Sequence, residues 1–145
     1  MTLPRRAVAW CAWAIALWCV ASAQAQVRVL DVDGRAVVLA APARRVVSLA
    51  PHLTELMFAI GAGDRVAGTV EYADFPEAAQ RVPRVGDSAL LDLERIVAMK
   101  PDLLLVWRHG NSPQQLQRLA ALKVPTYASE ARTLADIART LRDLG

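Results

Sequence analysis

Few side chains in this 145-residue sequence are of the types that catalyse reactions or bind metal ions. The two histidines, His52 and His109, are far apart in sequence and neither has a second ligand nearby, so a protein-built zinc site is not expected. Asp92 and Glu94 are two residues apart, a spacing that points helical side chains in different directions. The sequence also lacks a G-x-S-x-G nucleophile motif and a glycine-rich phosphate loop. It therefore predicts no enzyme, no catalytic residue and no metal site.

Residues suited to binding a large ring ligand occur in loops that follow predicted strands. An aromatic side chain offers a flat apolar face with a polar tip, and the backbone N–H groups at a helix start face the ligand side. The candidates, in chain order, are Pro51, His52, Tyr72, Ser88 and Trp107. Simpler interpretations exist: His52 as an exposed loop residue, Tyr72 as a lid over the core, and Trp107 as a buried structural residue. Together these residues predict an apolar cup on one rim of the protein.

The positions of those loops follow from an alternation of strand-like and helix-like segments. Residues 27–32 and 36–40 are β-prone runs joined by Asp33-Gly34-Arg35, which predicts a hairpin with Gly34 at a positive φ. From Arg45 onward the two patterns alternate four times, and the predicted strands are 45–49, 66–70, 103–107 and 124–128. This order predicts an α/β fold, in which a parallel sheet flanked by helices carries ligand-facing loops at the carboxyl ends of its strands.

The helices are located by capping residues and by apolar side chains at helical spacing. A helical turn is expected near residues 77–80, and Val97 and Leu134 fall on predicted inner helix faces. The expected N-caps are Asp92, Ser112 and Thr133.

Residues 1–25 differ in composition from the rest of the chain. Arg5 and Arg6 precede an uncharged apolar run at 7–21, and Ala23-Gln24-Ala25 then supplies a small-x-small cleavage pattern. That run is short for a membrane span, which needs about 20 residues. These features predict a cleavable signal peptide and export to the periplasm; a retained N-terminal anchor is the alternative.

The segment after residue 25 is nearly balanced in charge and contains no cysteine. The charge balance argues against a nucleic acid partner, because phosphate binding needs an excess of basic residues. The absence of cysteine excludes disulfides and thiolate metal sites from the mature protein.

Residues 45–68, RVVSLAPHLTELMFAIGAGDRVAG, resemble the opening of periplasmic binding proteins of the iron-siderophore and vitamin B12 class. Within this class the resemblance is strongest to the cobalamin-binding members. It implies that residues 44–145 form the N-terminal lobe of a two-lobe protein, preceded by a hairpin at 26–43. Three further segments carry the resemblance: EYADFP at 71–76, LERIVAMKPDLLLVW at 93–107 and RHGN at 108–111.

The resemblance also implies a function: the substrate-binding component of an ABC importer, which captures cobalamin and delivers it to a membrane permease. It implies that Tyr72 and Trp107 contact the ligand and that Glu94 docks to permease arginines. Cobalamin is then cargo, and no cofactor is expected. Two residues depart from the pattern, because Ser88 stands where cobalamin binders have a tryptophan and His52 occupies a loop that usually carries small or polar residues. A contact from His52 to the metal of a cobalt or iron complex is therefore a hypothesis.

Two alternatives remain open at this point. One is an iron-siderophore or heme binder of the same class. The other is a truncated exported module that binds no small molecule, in which Tyr72 and Trp107 belong to the core. A full member of the class needs roughly another 120 residues for its second lobe, so we expect this sequence to hold the first lobe alone.

Overall fold

The computed structural model describes residues 26–87 and 90–145. The predicted signal peptide (1–25) and Ser88 lie outside the described residues. Two short 3-10 segments occur at Gly63–Arg65 and Glu77–Arg81, and the second matches the helical turn expected there. The strands are β1 (Val27–Leu30), β2 (Ala36–Leu39), β3 (Val46–Ser48), β4 (Val66–Thr69), β5 (Leu103–Trp107) and β6 (Thr126–Ser129). The helices are α1 (Pro51–Ala59), α2 (Leu93–Ala98), α3 (Pro113–Ala120) and α4 (Leu134–Leu144).

Four strands form a parallel sheet in the order β4-β3-β5-β6. The chain enters this sheet at β3, adds β4 on one side, and then crosses to add β5 and β6 on the other. The reversal creates a topological switch point between β3 and β5. In open α/β sheets, ligands bind at such a point, outside the carboxyl ends of the strands. The predicted α/β class is confirmed, and the switch point locates the part of the sheet where binding is expected.

Both faces of the sheet are buried. On one face Val46 and Leu105 pack with Leu53 of α1, and on the other Leu104 packs with Ile96 of α2. A strand covered on both sides is expected to be continuously apolar, which explains the uninterrupted LLLV run of β5. Within the described ranges no helix is long and apolar enough to cross a bilayer.

The predicted hairpin is also confirmed, with β1 and β2 paired antiparallel. Its turn is closed by the carboxylate of Asp31, which accepts a hydrogen bond from the backbone N–H of Arg35 at 2.8 Å. Gly34 adopts φ 74°, a conformation that costs glycine little. The backbone N–H of Val32 donates to the carbonyl oxygen of Ala128 at 3.0 Å, which joins the hairpin to β6.

The capping predictions are confirmed, whereas two predicted inner-face residues are wrong. Val97 is 52% exposed because α2 has six residues and buries Ile96 alone. Leu134 is 84% exposed because it lies in the first turn of α4, whereas the buried residue of that helix is Thr140. The N-caps whose side chains accept a backbone hydrogen bond are Asp92, Ser112 and Thr133.

Candidate ligand-binding site

A chain of buried hydroxyl groups fixes the loop between β3 and α1. The hydroxyl oxygens of Thr69 and Thr54 are 2.7 Å apart, and Thr54 donates to the hydroxyl of Ser48 at 2.9 Å. Ser48 in turn donates to the carbonyl oxygen of Ala50 at 3.2 Å. Because these hydroxyls lie on β4, α1 and β3, they hold the start of α1, where Pro51 is the first residue, in one position above the sheet.

The ring of His52 packs edge-on against the indole of Trp107, with centroids 5.2 Å apart and planes at 85°. His52 follows β3 and Trp107 ends β5, so this ring pair spans the switch point. Burial lowers the pKa of His52, an effect that the carboxylates of Glu55 and Glu130 partly offset. The imidazole is therefore neutral at pH 7. Neither of its nitrogens has a hydrogen-bond partner within residues 26–87 and 90–145.

The loop that carries Trp107 is held by Asn111, which is only 4% exposed. The side-chain oxygen of Asn111 accepts from the backbone N–H of Trp107 at 2.8 Å, and its amide donates to the carbonyl oxygen of Leu49 at 3.4 Å. Gly110 lies directly under the indole, and a Cβ there would collide with the ring. Asn111 and Gly110 both belong to the RHGN segment that carries the resemblance, but no sequence pattern predicts these supporting roles.

Tyr72 lies in the loop after β4 and is 82% exposed. Its φ of 65° is unusual for a bulky residue and marks a tightly constrained turn. The guanidinium of Arg84 holds this turn by donating to the carbonyl oxygens of Val70 and Ala73 at 3.2 and 3.1 Å. It also donates to the carboxylate of Asp74 at 3.0 Å. The sequence offered no signal for this role of Arg84, because the contacts depend on the loop's folded shape.

The structure brings together some of the predicted residues and separates others. His52 and Trp107 are in contact, whereas Tyr72 follows β4 on the far side of β3 and packs against neither ring. The loops after β4 and β5 are two strand spacings apart, about 10 Å. The interpretation of Tyr72 as a lid over the core is wrong, and the predicted apolar cup is instead an open row of rings along the carboxyl edge of the sheet.

Charged side chains line the β6 side of the same edge. A carboxylate oxygen of Glu130 lies 2.9 Å from Nδ1 of His109, and the other lies 3.5 Å from Nε of Arg132. The contact with His109 is the main cause that lowers the pKa of Glu130, and the contact with Arg132 lowers it further. The Glu130 side chain is therefore ionised at neutral pH. Nε of Arg108 lies 2.9 Å from the carboxylate of Asp33, which ties the loop after β5 to the hairpin turn.

A cleft of about 350 Å³ opens beside the His52–Trp107 pair. A second, smaller cavity of about 130 Å³ lies near the amino ends of the strands, with Val46 and Leu103 in its wall, and so is remote from the ring pair. No group of three or more potential metal-ligating side chains occurs in the part of the chain that the structure describes. The residues lining the larger cleft are His52, Glu55, Leu56, Trp107, Ala131 and Ile137.

Glu94, the predicted docking residue, lies in the first turn of α2 and is exposed. It forms no ion pair with another residue of the described ranges.

A family model described as periplasmic binding protein matches residues 46–145. The chain belongs to this family. The matched region begins at β3 and includes the whole parallel sheet, and it confirms the resemblance inferred from residues 45–68.

Curated relatives and solved structures agree with this assignment. The chain is 40% identical over 103 residues to a vitamin B12-binding protein of Vibrio cholerae, an alignment that covers 71% of this chain and 37% of the relative. The crystal structure of the periplasmic vitamin B12 binding protein of V. cholerae matches with a TM-score of 0.68 and 40% identity, over 71% of this chain and 40% of that one. A periplasmic heme binding protein of Pseudomonas aeruginosa matches with a TM-score of 0.65 and 27% identity, over 71% of this chain and 37% of that one. The chain thus spans less than half the length of these relatives.

Proposed function

We propose that this chain is the N-terminal, ligand-capturing lobe of the substrate-binding component of an ABC importer, and that its cargo is cobalamin. The observation that carries this proposal is the row of exposed or half-exposed rings along the carboxyl edge of the sheet, formed by Tyr72, His52 and Trp107. The 40% identity to the vitamin B12-binding protein of V. cholerae supports it.

The chemistry of these residues suits capture without reaction. Burying a flat macrocycle against Tyr72 and Trp107 removes apolar area from water on both partners, and stacked rings add roughly 0.5–1.5 kcal/mol per contact. At the start of α1, where Pro51 is the first residue, backbone N–H groups of the first turn make polar contacts to side groups of the macrocycle. Ser88 stays a proposed contact. No chemical step on the cargo is proposed.

The remaining parts of the chain have assigned roles in the same proposal. Residues 1–25 act as a cleavable signal peptide that directs export to the periplasm, 26–43 form the hairpin, and 44–145 form the lobe. Glu94 forms salt bridges with basic side chains of the permease. Complementary charges of this kind orient the two partners and raise their association rate.

A heme or iron-chelate cargo is the second candidate, and two observations favour keeping it. The solved heme binding protein of P. aeruginosa shares the fold and 27% of aligned residues. A histidine also faces the cleft beside Trp107.

Titration of the periplasmically expressed chain with cyanocobalamin and with hemin tests the cargo. Trp107 is the only tryptophan outside residues 1–25, so quenching of its fluorescence reports binding at the site. We expect cyanocobalamin to quench it, Tyr72→Ala to weaken binding about tenfold, and Tyr72→Phe, which keeps the ring, to bind within about twofold of the unmodified chain. Tighter binding of hemin would favour the second candidate, and binding of neither compound would overturn the proposal.

The docking role of Glu94 requires a separate measurement. We expect Glu94→Arg to lower the rate of cobalamin uptake by cells that carry the cognate permease, without changing cobalamin affinity. Glu77→Arg makes the same charge change at another exposed glutamate and serves as the control. Equal uptake by the two variants would remove Glu94 from the interface.

A further inference from the structure

We propose that the imidazole of His52 coordinates the metal of the bound cargo, so that the cargo is a corrin or porphyrin complex with an exchangeable axial water. This inference rests on the proposed function and goes beyond it, because it specifies the axial chemistry of the complex and not only the macrocycle.

The first argument is the geometry of the ring. His52 is held edge-on by Trp107 at a centroid distance of 5.2 Å, and its helix is fixed from below by the Thr54 hydroxyl chain. The ring lines a cleft of about 350 Å³ together with Trp107. A side chain that coordinates a metal must lie at a defined distance from it, and rigid support of this kind fixes that distance.

The second argument is the chemical state of the ring. Its nitrogens have no hydrogen-bond partner among the described residues, and burial favours the neutral form. Neutral imidazole is a common ligand for cobalt and iron ions. The negative charges of Glu55 and Glu130 are close enough to raise the pKa of the same ring. These charges also favour a cationic metal centre close by.

The contrast with His109 shows why His52 is the candidate. His109 contacts the carboxylate of Glu130 through Nδ1 at 2.9 Å and does not line the cleft. One protein ligand is enough here, since the macrocycle itself occupies the equatorial positions of the metal. The lack of a cluster of three metal-ligating side chains in the described ranges is therefore compatible with the proposal.

The step is a ligand substitution without redox change. The lone pair of a ring nitrogen of His52 forms a coordinate bond to the metal, the bond from the metal to water breaks, and the water leaves. No proton has to be removed, because the ring is already neutral, and the metal keeps its oxidation state.

The test compares aquocobalamin, whose axial water is exchangeable, with cyanocobalamin, whose axial cyanide is retained. We expect the chain to shift the visible absorption of aquocobalamin on binding and to leave that of cyanocobalamin unchanged. We expect His52→Ala to abolish the shift and to weaken aquocobalamin binding about tenfold, which is 1.4 kcal/mol, while cyanocobalamin affinity stays within about twofold. His52→Phe keeps an aromatic edge against Trp107 and should behave in the same way, which separates lost coordination from lost packing.

The control variant is His109→Ala, which removes the other histidine of this edge and should retain the shift. A shift that survives in His52→Ala, or one lost in His109→Ala, would overturn the inference. Binding of aquocobalamin without any shift would overturn it while leaving the proposed function intact. The same variants with hemin, read by the Soret band, separate a porphyrin cargo from a corrin one, and binding of neither compound would remove both proposals.

Discussion

The side-chain oxygen of Asn111 accepts a hydrogen bond from the backbone N–H of Trp107 at 2.8 Å, and its amide reaches the carbonyl oxygen of Leu49 at 3.4 Å. One buried side chain thus joins the carboxyl ends of β5 and β3, the strands on either side of the switch point. The orientation of the Trp107 backbone therefore depends on a contact to the neighbouring strand, and not only on its own loop.

Replacement of Asn111 by Ala should lower the free energy of unfolding by about 1–3 kcal/mol, because buried backbone groups of Trp107 and Leu49 lose their partner. Urea denaturation followed by Trp107 fluorescence measures this change. Gln114→Ala, at an exposed position of the adjacent helix, is the matched control and should lie within about 0.5 kcal/mol of the unmodified chain. Equal midpoints for the two variants would contradict the bridging role.

Replacement of Gly110 by Ala should displace the indole of Trp107, since the new Cβ would overlap the ring. We expect a shifted fluorescence maximum and weaker cargo binding. The control is a double-mutant cycle with Trp107→Ala. In the Trp107→Ala background the clash is absent, so the loss of cargo affinity caused by Gly110→Ala should largely disappear. An additive result would mean that the ring does not cause the effect.

Replacement of Arg84 by Lys should loosen the turn that carries Tyr72, because an ammonium group cannot reproduce the planar fork that reaches Val70, Ala73 and Asp74. Faster hydrogen exchange at backbone amides of residues 71–75, together with lower cargo affinity, is the expected outcome. Arg81→Lys, at an exposed position nearby, should change neither quantity. Unchanged exchange in Arg84→Lys would show that the turn is held by its own backbone.

The stability of the chain should fall as the pH decreases below about 6.5. Burial lowers the pKa of His52 in the folded chain below its ordinary value of 6.5, so the unfolded chain binds a proton at pH values where the folded chain does not. The stabilisation is present above 6.5 and is lost as the pH falls toward the folded pKa. The carboxyl group of Glu130, whose pKa is lowered from 4.5, contributes at lower pH.

Thermal unfolding between pH 7.5 and 5.5 tests this expectation. The melting temperature of the unmodified chain should fall more steeply with decreasing pH than that of His52→Phe, in which the titrating group is absent. Parallel curves would assign the pH dependence to other groups.

Local features of the fold could be predicted from the sequence because local interactions specify them. Each of the three capping residues bonds to the backbone three positions later, and the alternation of patterns along the chain predicts a parallel sheet flanked by helices. Val97 and Leu134 were assigned wrongly because apolar spacing gives the face of a helix but not how far the helix overlaps the sheet.

The candidate site could be predicted only in part, for a related reason. Pattern and resemblance placed Tyr72, His52 and Trp107 at strand ends, but the contact between two of these rings depends on which strands are neighbours. The supporting roles of Asn111 and Arg84 depend on backbone carbonyls from other segments, which have no signature in the sequence.

The attachment of the β1–β2 hairpin has a consequence for the order of folding. A two-stranded hairpin is at best marginally stable alone, and this one is held by the Val32–Ala128 hydrogen bond and by the pair of Asp33 and Arg108, which are 75 positions apart. Closing so long a loop costs chain entropy before either contact forms. The segment that is synthesised early, directly after residues 1–25, therefore gains its tertiary contacts late. Until β5 and β6 have been made, the hairpin lacks the surface against which it packs.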